Sequence, residues 1–270
     1  MFRIPLLLLV AAAAASPWVF AGSEVERLPV LMYHHLVTGE PESDAELHVD
    51  CFRNQMQFLH DHGFTTLTLE EFQRHHETGS FPERSLLITF DDGYRSFLEH
   101  AHPVLLEFGF SSAVFPVVGL RPGLQRHVVW ADHLSFHELR LMLNEGGLID
   151  IGSHTFDLHH QCDAERAIVL RQPDEGAAEH RDRVHTDLLT SKLVLELQTD
   201  RDITALAWPF GVFTCELAHL AAELGFVLQF TTEPGYVTAE TSLTALPRFN
   251  VAAAVEPCFR EVVEQTVELE

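Results

Sequence analysis

The chain has 270 residues, 46% of them hydrophobic, and a formal net charge of −23 at pH 7. This length and composition suffice for one sizeable core, and a second domain is not required. An acidic surface repels nucleic acid and anionic lipid, which excludes proteins that work through a basic surface, and it is compatible with a neutral or cationic glycan as partner.

The N-terminal residues have the form of a secretory signal peptide. Arg3 supplies a basic start, residues 4–15 are an apolar run, and small residues precede a predicted cleavage after Ala21. The alternative is an uncleaved membrane anchor, but the apolar run is shorter than the roughly 20 residues that span a bilayer, and Pro17 interrupts it. We therefore expect export to the periplasm or the medium, which leaves one mature domain of residues 22–270 without a transmembrane helix.

Short apolar or β-branched runs then alternate with segments of helical periodicity. The runs predicted to be buried strands are residues 28–33, 65–67, 85–90, 112–118, 148–152, 205–210, 226–231 and 246–251. Helices are predicted at residues 52–59, after the capping-box pair Thr68 and Glu71, and at residues 97–108. Seven or eight βα units in one domain of this size favour a (β/α) barrel over an open sheet, with the chemistry at the carboxyl ends of the strands.

Two features lie outside this alternation. Residues 161–183 are polar and charged, and we predict a long surface loop there, near the catalytic face. The cysteines include no C-x-x-C pair of the kind found in zinc knuckles, and outside the cytoplasm they allow up to two disulfides. Three full pairings remain open among Cys51, Cys162, Cys215 and Cys258.

Two adjacent carboxylates follow the apolar strand of residues 86–90. Asp91 and Asp92 stand at its carboxyl end, and Gly93 turns the chain. Because neighbouring carboxylates repel each other, we expect a metal or another cation to neutralise one, while the other keeps a proton affinity suited to a base. The alternative is a solvated turn in which an aspartate caps the next helix.

A second motif, which contains His154 and His159, follows the apolar strand of residues 148–152. The chain has 18 histidines, so this spacing alone is a weak signal. Residues five apart lie about 140° apart on a helix and on opposite faces of a strand, so both imidazoles reach one ion only from an irregular loop. Two imidazoles and one carboxylate suit a catalytic Zn²⁺ and also an Fe(II) oxygenase, although export and the spare carboxylate favour hydrolysis.

These motifs resemble those of the NodB-homology polysaccharide deacetylase family. The resemblance lies in Thr-Phe-Asp-Asp-Gly-Tyr at residues 89–94 and in Ser-His-Thr-x-x-x-His at residues 153–159. Ala-Trp-Pro-Phe-Gly at residues 207–211 is similar to the family's later Pro-aromatic-Gly motif, and Leu-Pro-Arg-Phe-Asn at residues 246–250 is similar to its closing segment. Together the motifs cover residues 28–251.

The resemblance implies a deformed (β/α) barrel that hydrolyses the amide bonds of N-acetyl sugars in a polysaccharide. It implies a divalent metal, Zn²⁺ or alternatively Co²⁺, Ni²⁺ or Mn²⁺, held by Asp92, His154 and His159. It also implies that Asp91 is the base that deprotonates a metal-bound water. A backbone N–H at the Pro-aromatic-Gly turn would bind the oxyanion; this chain has Phe210 where tyrosine is usual, and a backbone donor survives that change.

Two further side chains are candidates for contact with the base or the substrate. Arg248 is predicted to orient or charge-balance Asp91, the alternative being an ordinary ion-pair residue. Trp130 is predicted to stack on a sugar face, whereas Trp208 is better explained by core packing.

A general acid must protonate the leaving amine, and the closing motif of this chain contains no histidine that could do so. His34, at the carboxyl end of the first predicted strand, is the candidate, because an imidazole with a pKa near neutrality suits this task. The alternative is that His34 or His35 merely caps the strand. The Tyr-His pair there and the spacing from His154 to His159 resemble the branch of the family that partially deacetylates poly-N-acetylglucosamine in biofilm matrices.

Two other classes of protein remain open at this point. One is an Fe(II)-dependent oxygenase, and the other is a catalytically inactive barrel that binds glycan. Metal analysis combined with an acetate-release assay separates both from a deacetylase. A serine esterase is disfavoured because the chain contains no G-x-S-x-G motif.

Overall fold

The computed structural model describes residues 24–120, 131–144, 148–160, 168–252 and 259–266. The strands are β1 (Glu24–Val25), β2 (Leu28–Tyr33), β3 (His35–Val37), β4 (Glu46–His48), β5 (Thr65–Thr66), β6 (Phe81–Pro82), β7 (Ser85–Asp92), β8 (Ser112–Pro116), β9 (Ile149–Ile151), β10 (Ala205–Ala207), β11 (Leu228–Phe230), β12 (Tyr236–Val237) and β13 (Phe249–Asn250). The α-helices are α1 (Val49–Asp61), α2 (Leu69–Thr78), α3 (His102–Phe108), α4 (Phe136–Leu143), α5 (Ala177–Thr199), α6 (Cys215–Glu223) and α7 (Phe259–Glu264). The predicted signal peptide, Trp130, Cys162 and Cys258 lie outside the described residues.

Seven parallel strands of the described chain close into a barrel. β2 pairs with β7, β7 with β8, and β8 with β9. Single bridges, Ser153 with Leu206 and Phe230 with Leu246, join the end of β9 to β10 and β11 to the segment before β13. β10 pairs with β11, and β13 returns to β2. This ring confirms the predicted (β/α) barrel, which is deformed because two of its seams consist of one bridge rather than a ladder.

Seven of the eight predicted strands enter the ring. The exception is the run at residues 65–67, which forms only the two-residue β5 and pairs with the first residues of β7. Thr68 and Glu71 form the predicted capping box at the start of α2. The predicted helix at residues 97–108 is divided into a π-helical turn, Phe97–Ala101, and α3.

The core has two layers, one between the barrel and the helices and one inside the barrel. All residues of β7 are buried, and its side chains alternate between these layers. Ile88 and Phe90 join the cluster that packs under the helices. Leu87 belongs to a second cluster, which contains residues from most of the barrel strands and fills the interior. Because side chains alternate along a strand, Asp91 shares a face with Leu87 and Thr89 and therefore enters the barrel interior.

The predicted surface loop at residues 161–183 is wrong in its last part, because α5 begins at Ala177. The polar residues there cover the exposed face of α5, while His180, Val184 and Leu188 are buried at four-residue spacing. This helix packs against α4, α6 and the 3-10 turn at Val118–Leu120.

The cysteines do not form the two disulfides that their number allows. Cys51, at the start of α1, and Cys215, at the start of α6, are free thiols. The other two cysteines, Cys162 and Cys258, lie outside the described residues.

Among the described residues, no helix has the length and apolar character needed to cross a bilayer.

Candidate active site

The two adjacent carboxylates lie at the carboxyl end of β7 and are almost fully buried, with 2% of Asp91 and 4% of Asp92 exposed. Consecutive residues of a regular strand point to opposite faces. Asp92, however, has a φ of +63°, in the left-handed region that non-glycine residues seldom adopt. Both carboxylates consequently line one cavity. Backbone strain at this position is typical of functional sites.

Arg248 holds Asp91 from inside the barrel. Its guanidinium is fully buried and binds the carboxylate through both oxygens, Nη1 to Oδ1 at 2.8 Å and Nη2 to Oδ2 at 2.6 Å. Two further N–H groups donate to the Thr231 carbonyl (2.8 Å) and to Thr89 Oγ1 (3.1 Å). Arg248 therefore contacts Asp91 from behind and does not line the cavity.

This pairing determines the protonation of Asp91. Burial by itself would raise the pKa of Asp91, but the charges of Arg248 and His154 and the hydrogen bonds from Arg248 outweigh it, so the pKa lies below its ordinary value. The charge of His34 acts in the same direction. Asp91 is therefore a carboxylate at neutral pH, able to accept a proton.

The candidate metal ligands converge on one point in the cavity: they are the side chains of Asp92, His154 and His159. Asp92 Oδ1 lies 3.4 Å from His154 Nε2 and 3.1 Å from His159 Nε2, and one ligand atom from each residue lies within 4.8 Å of the others. Two ligand atoms that are each about 2.05 Å from a tetrahedral ion are roughly 3.3 Å apart. The two separations from Asp92 Oδ1 lie close to that value, so the three residues fit a divalent metal with positions left open.

The backbone between the two histidines explains how they reach the same point. Thr155, with a φ of +71°, bends the chain directly after His154, and no helix or strand forms before His159. His154 Nδ1 donates to the Ala207 carbonyl at the end of β10 (2.7 Å), so Nε2 is the ring nitrogen that faces Asp92. A histidine ligand is commonly fixed in this way by a bond from its second ring nitrogen.

Burial and neighbouring charges shift the pKa values of the three candidate ligands in different directions. Burial would raise the pKa of Asp92, but the nearby His159 and His154 lower it strongly overall. For His154, burial lowers the pKa, yet the charges of Asp91 and Asp92 more than compensate and the net shift is upward. For His159, burial dominates and the pKa falls, so this imidazole is neutral, as a metal ligand must be.

The site forms the floor of a cavity of about 690 Å³, a volume typical of ligand pockets. His34, the candidate general acid, lies on its wall. Phe210 lies there too, with its ring stacked on His159 at a centroid distance of 4.6 Å. The backbone of Phe210 is left-handed, with a φ of +57°, and the next residue must be glycine because a Cβ on Gly211 would lie 2.2 Å from Thr232 Oγ1.

His35 differs from its neighbour. Its Nδ1 lies 2.8 Å from Ser96 Oγ, and its ring packs on Tyr94 at 4.9 Å. His35 lines a separate surface groove with Ser96 and not the metal cavity. Trp208 is fully buried, and its indole N–H donates to Gln229 Oε1 (3.1 Å), which agrees with core packing.

Sequence reasoning missed several residues of the cavity wall. Tyr94 forms a hydrogen bond with the candidate ligand Asp92, and its position directly after Asp-Asp-Gly could have indicated this. His133 packs against Tyr94, with the ring centroids 4.9 Å apart and the rings tilted by 40°, and is buried beside the cavity. Asp44, Asp157, His160, Thr232 and Asn250 complete the polar lining. Asn250 is the last residue of the closing motif, whereas no local sequence pattern distinguishes the other four from surface positions.

Residues 78–228 match the family model described as polysaccharide deacetylase. The chain belongs to this family. It is 30% identical over 231 residues, 84% of its length, to the Bacillus subtilis protein YxkH, whose name describes it as a candidate polysaccharide deacetylase. It is 28% identical over 208 residues to the poly-β-1,6-N-acetyl-D-glucosamine N-deacetylase of Staphylococcus epidermidis. The matches span 72% and 66% of these two relatives and, for the second, 74% of this chain.

The fold of this polysaccharide deacetylase family member agrees with a solved structure. The de-N-acetylase from Aggregatibacter actinomycetemcomitans superposes with a TM-score of 0.76 at 18% identity and covers 89% of this chain and 100% of its own. Identity at this level supports the barrel alone. The family and the fold predicted from the motifs are thus confirmed.

Proposed function

We propose that the protein is an exported, metal-dependent hydrolase that removes N-acetyl groups from a polysaccharide, either poly-N-acetylglucosamine or a related amino-sugar polymer. One observation carries the proposal: two imidazoles and a carboxylate converge at distances suited to a divalent ion, directly beside a second carboxylate held by a buried arginine. The polymer is proposed because a staphylococcal relative is named for poly-β-1,6-N-acetyl-D-glucosamine.

Asp92, His154 and His159 would hold the metal, Zn²⁺ by preference, with Co²⁺, Ni²⁺ or Mn²⁺ as alternatives. When bound, such an ion lowers the pKa of a coordinated water and polarises the acetyl carbonyl. The ring of Phe210 stacks on His159 and fixes the plane of that imidazole. The hydrogen bond to the Ala207 carbonyl fixes the plane of His154.

Asp91 serves as the base in this proposal. A base must be ionised before the reaction and lie within hydrogen-bond reach of the proton that it accepts. Arg248 meets the first condition, because its buried charge keeps Asp91 ionised, and its two-point contact fixes the plane of the carboxylate. The left-handed turn at Asp92 brings both carboxylates to the same cavity and so supports the second condition.

Two further groups complete the proposed reaction. The backbone N–H of Phe210, at the strained turn on the cavity wall, would donate to the oxyanion that forms when water attacks the amide. His34, on the same wall, would protonate the leaving amine. The released products are acetate and a free amino sugar within the polymer.

The deciding experiment measures acetate release from poly-N-acetylglucosamine, chitin oligomers, peptidoglycan and acetylated xylan, with and without a chelator. We expect release from an N-acetylated polymer that stops on chelation and returns with Zn²⁺. The Asp91→Asn variant is the matched control, since it should retain the metal and release little acetate. Release from xylan alone, or release unaffected by the chelator, would contradict the proposal.

Export and domain extent belong to the same proposal. Residues 22–270 would be one catalytic domain that is freed when the signal is cut after Ala21. N-terminal sequencing of the protein recovered from the periplasm or medium tests this directly, and an intact Met1 in a membrane fraction would contradict it.

A further inference from the structure

The metal-ligand loop, residues 153–159, depends on groups outside itself for its hydrogen bonds. Within the loop, Thr155 N–H donates to Ser153 Oγ (3.0 Å) and Leu158 N–H to Thr155 Oγ1 (3.2 Å). The N–H groups of Phe156 and Asp157, midway between the two histidines, donate instead to the two carboxylate oxygens of Asp187, each at 2.8 Å. One side chain, about 30 residues further along the chain, thus accepts from two consecutive backbone donors.

Asp187 lies on α5 and is accompanied by a second contact from the same helix. Ser191, one turn later, is fully buried, and its Oγ lies 2.9 Å from Ser153 Oγ. Residues four apart share one face of a helix, so α5 contacts the loop both before His154 and between the two histidines. From the other side, the 3-10 turn at Val118–Leu120 donates to the loop carbonyls, Gly119 N–H to Phe156 O at 2.7 Å.

We propose that Asp187 is a positioning residue of the metal site: by binding the N–H groups of Phe156 and Asp157 with both oxygens, it fixes the loop conformation that directs His154 and His159 at Asp92. The inference rests on the proposed function, since it presumes that these residues hold a metal. Carboxylate acceptors form stronger hydrogen bonds than neutral ones, and two of them in parallel also determine orientation.

The usual structural roles of a helical aspartate do not account for Asp187. It lies ten residues into α5, too far from the first turn to interact with the helix dipole or to cap free N–H groups. Arg183, one turn earlier, pairs with Glu175 (Nε to Oε1 2.6 Å), and its charge lowers the pKa of Asp187 less than the two backbone hydrogen bonds do. Burial raises the pKa of Asp187 to about 6 in spite of its two N–H donors, so retaining a charge here opposes folding stability.

The test compares Asp187→Asn with Asp182→Asn. The amide side chain of the Asp187→Asn variant would present one oxygen and one NH₂ group to two N–H donors, so only one of the two bonds survives. Asp182 is exposed on the same helix and, like Asp187, lines a surface groove between α5 and the metal-ligand loop, so Asp182→Asn removes an equal charge as a matched control. The measurements are the Kd for Zn²⁺ by chelator competition, backbone amide exchange in the metal-free protein, and kcat.

We expect Asp187→Asn to raise the Kd for Zn²⁺ by about tenfold or more, as the loss of an outer partner of metal ligands usually does, and to speed amide exchange at Phe156 and Asp157 by about tenfold. Amides of β7 should keep their protection, and Asp182→Asn should change neither quantity. An unchanged Kd with unchanged exchange overturns the inference. Equally faster exchange throughout β7 also overturns it, since that result indicates general destabilisation.

The same data separate this inference from the proposed function. If the wild-type protein binds no divalent metal, the proposed function fails. The exchange rates at Phe156 and Asp157, measured without metal, then decide alone whether Asp187 holds the loop.

Discussion

The substitution Arg248→Met tests whether the buried arginine sustains both the stability of the barrel and the charge of the base. Methionine fills most of the volume but removes the charge and all four hydrogen bonds, which leaves Asp91 buried without its partner. At an effective dielectric constant of about 20, two charges about 4 Å apart attract each other by about 4 kcal/mol. Breaking a buried pair by removing one partner typically costs about 3–5 kcal/mol.

We therefore expect Arg248→Met to lower the free energy of unfolding by about 3–5 kcal/mol and to abolish most turnover at neutral pH. The assay is urea unfolding of the metal-loaded protein, applied to Arg248→Met, Asp91→Asn and the double variant. Because the double variant leaves neither charge unpaired, it should be more stable than the sum of the single losses predicts, with a coupling of at least about 2 kcal/mol. Arg248→Lys keeps the charge but not the two-point contact, so its free energy of unfolding should lie between those of the wild type and Arg248→Met.

A loss below about 1 kcal/mol for Arg248→Met, or additive effects in the double variant, would refute the reasoning. Either result would mean that water or another group compensates the negative charge of Asp91. The two contacts from Arg248, at 2.6 and 2.8 Å, would then contribute little to the ionisation of Asp91.

Three further predictions concern the proposed catalytic groups. His154→Ala or His159→Ala should lower metal content and turnover together, by element analysis and acetate assay, and full metal occupancy in both variants would disprove the ligand assignment. Asp91→Asn should keep the metal and lose most turnover, because an amide does not accept the proton; near-normal kcat would remove Asp91 as the base. His34→Ala should lose turnover on an N-acetyl substrate but largely keep it on an activated acetate ester, whose leaving group scarcely requires a proton. His35→Ala, outside the metal cavity, should show no such selectivity, and equal losses of His34→Ala on both substrates would assign the acid elsewhere.

Much of the barrel follows from short-range patterns in the sequence. Apolar runs of five to seven residues separated by helical segments identified all seven barrel strands, because strands buried on both faces carry continuous hydrophobic residues. The same reasoning placed Asp91 and Asp92 at a strand end. It could not place both in one cavity, since that depends on the left-handed conformation of Asp92 and not on strand periodicity.

Other parts of the site depend on contacts that no local pattern encodes. Arginine is seldom fully buried, so a complete burial of Arg248 could not be inferred from its sequence neighbours. The polar side chains of residues 177–183 mask the four-residue spacing of the buried ones, so the sequence predicts a loop where α5 begins. No sequence pattern indicates Asp187, whose contacts with residues 156 and 157 form only once α5 has packed beside the barrel.

The position of Arg248 on the last part of the barrel gives the site an order of assembly during synthesis. Asp92, His154 and His159 emerge from the ribosome well before Arg248, which lies 157 residues after Asp91. A nascent chain that ends at α6 already contains every proposed metal ligand but has no guanidinium for Asp91. Contacts of such long sequence separation form late in folding because their loop closure is costly. The carboxylate of the base thus gains its buried arginine partner only when the closing strand docks on β2, so hydrolytic competence would report completion of the whole ring.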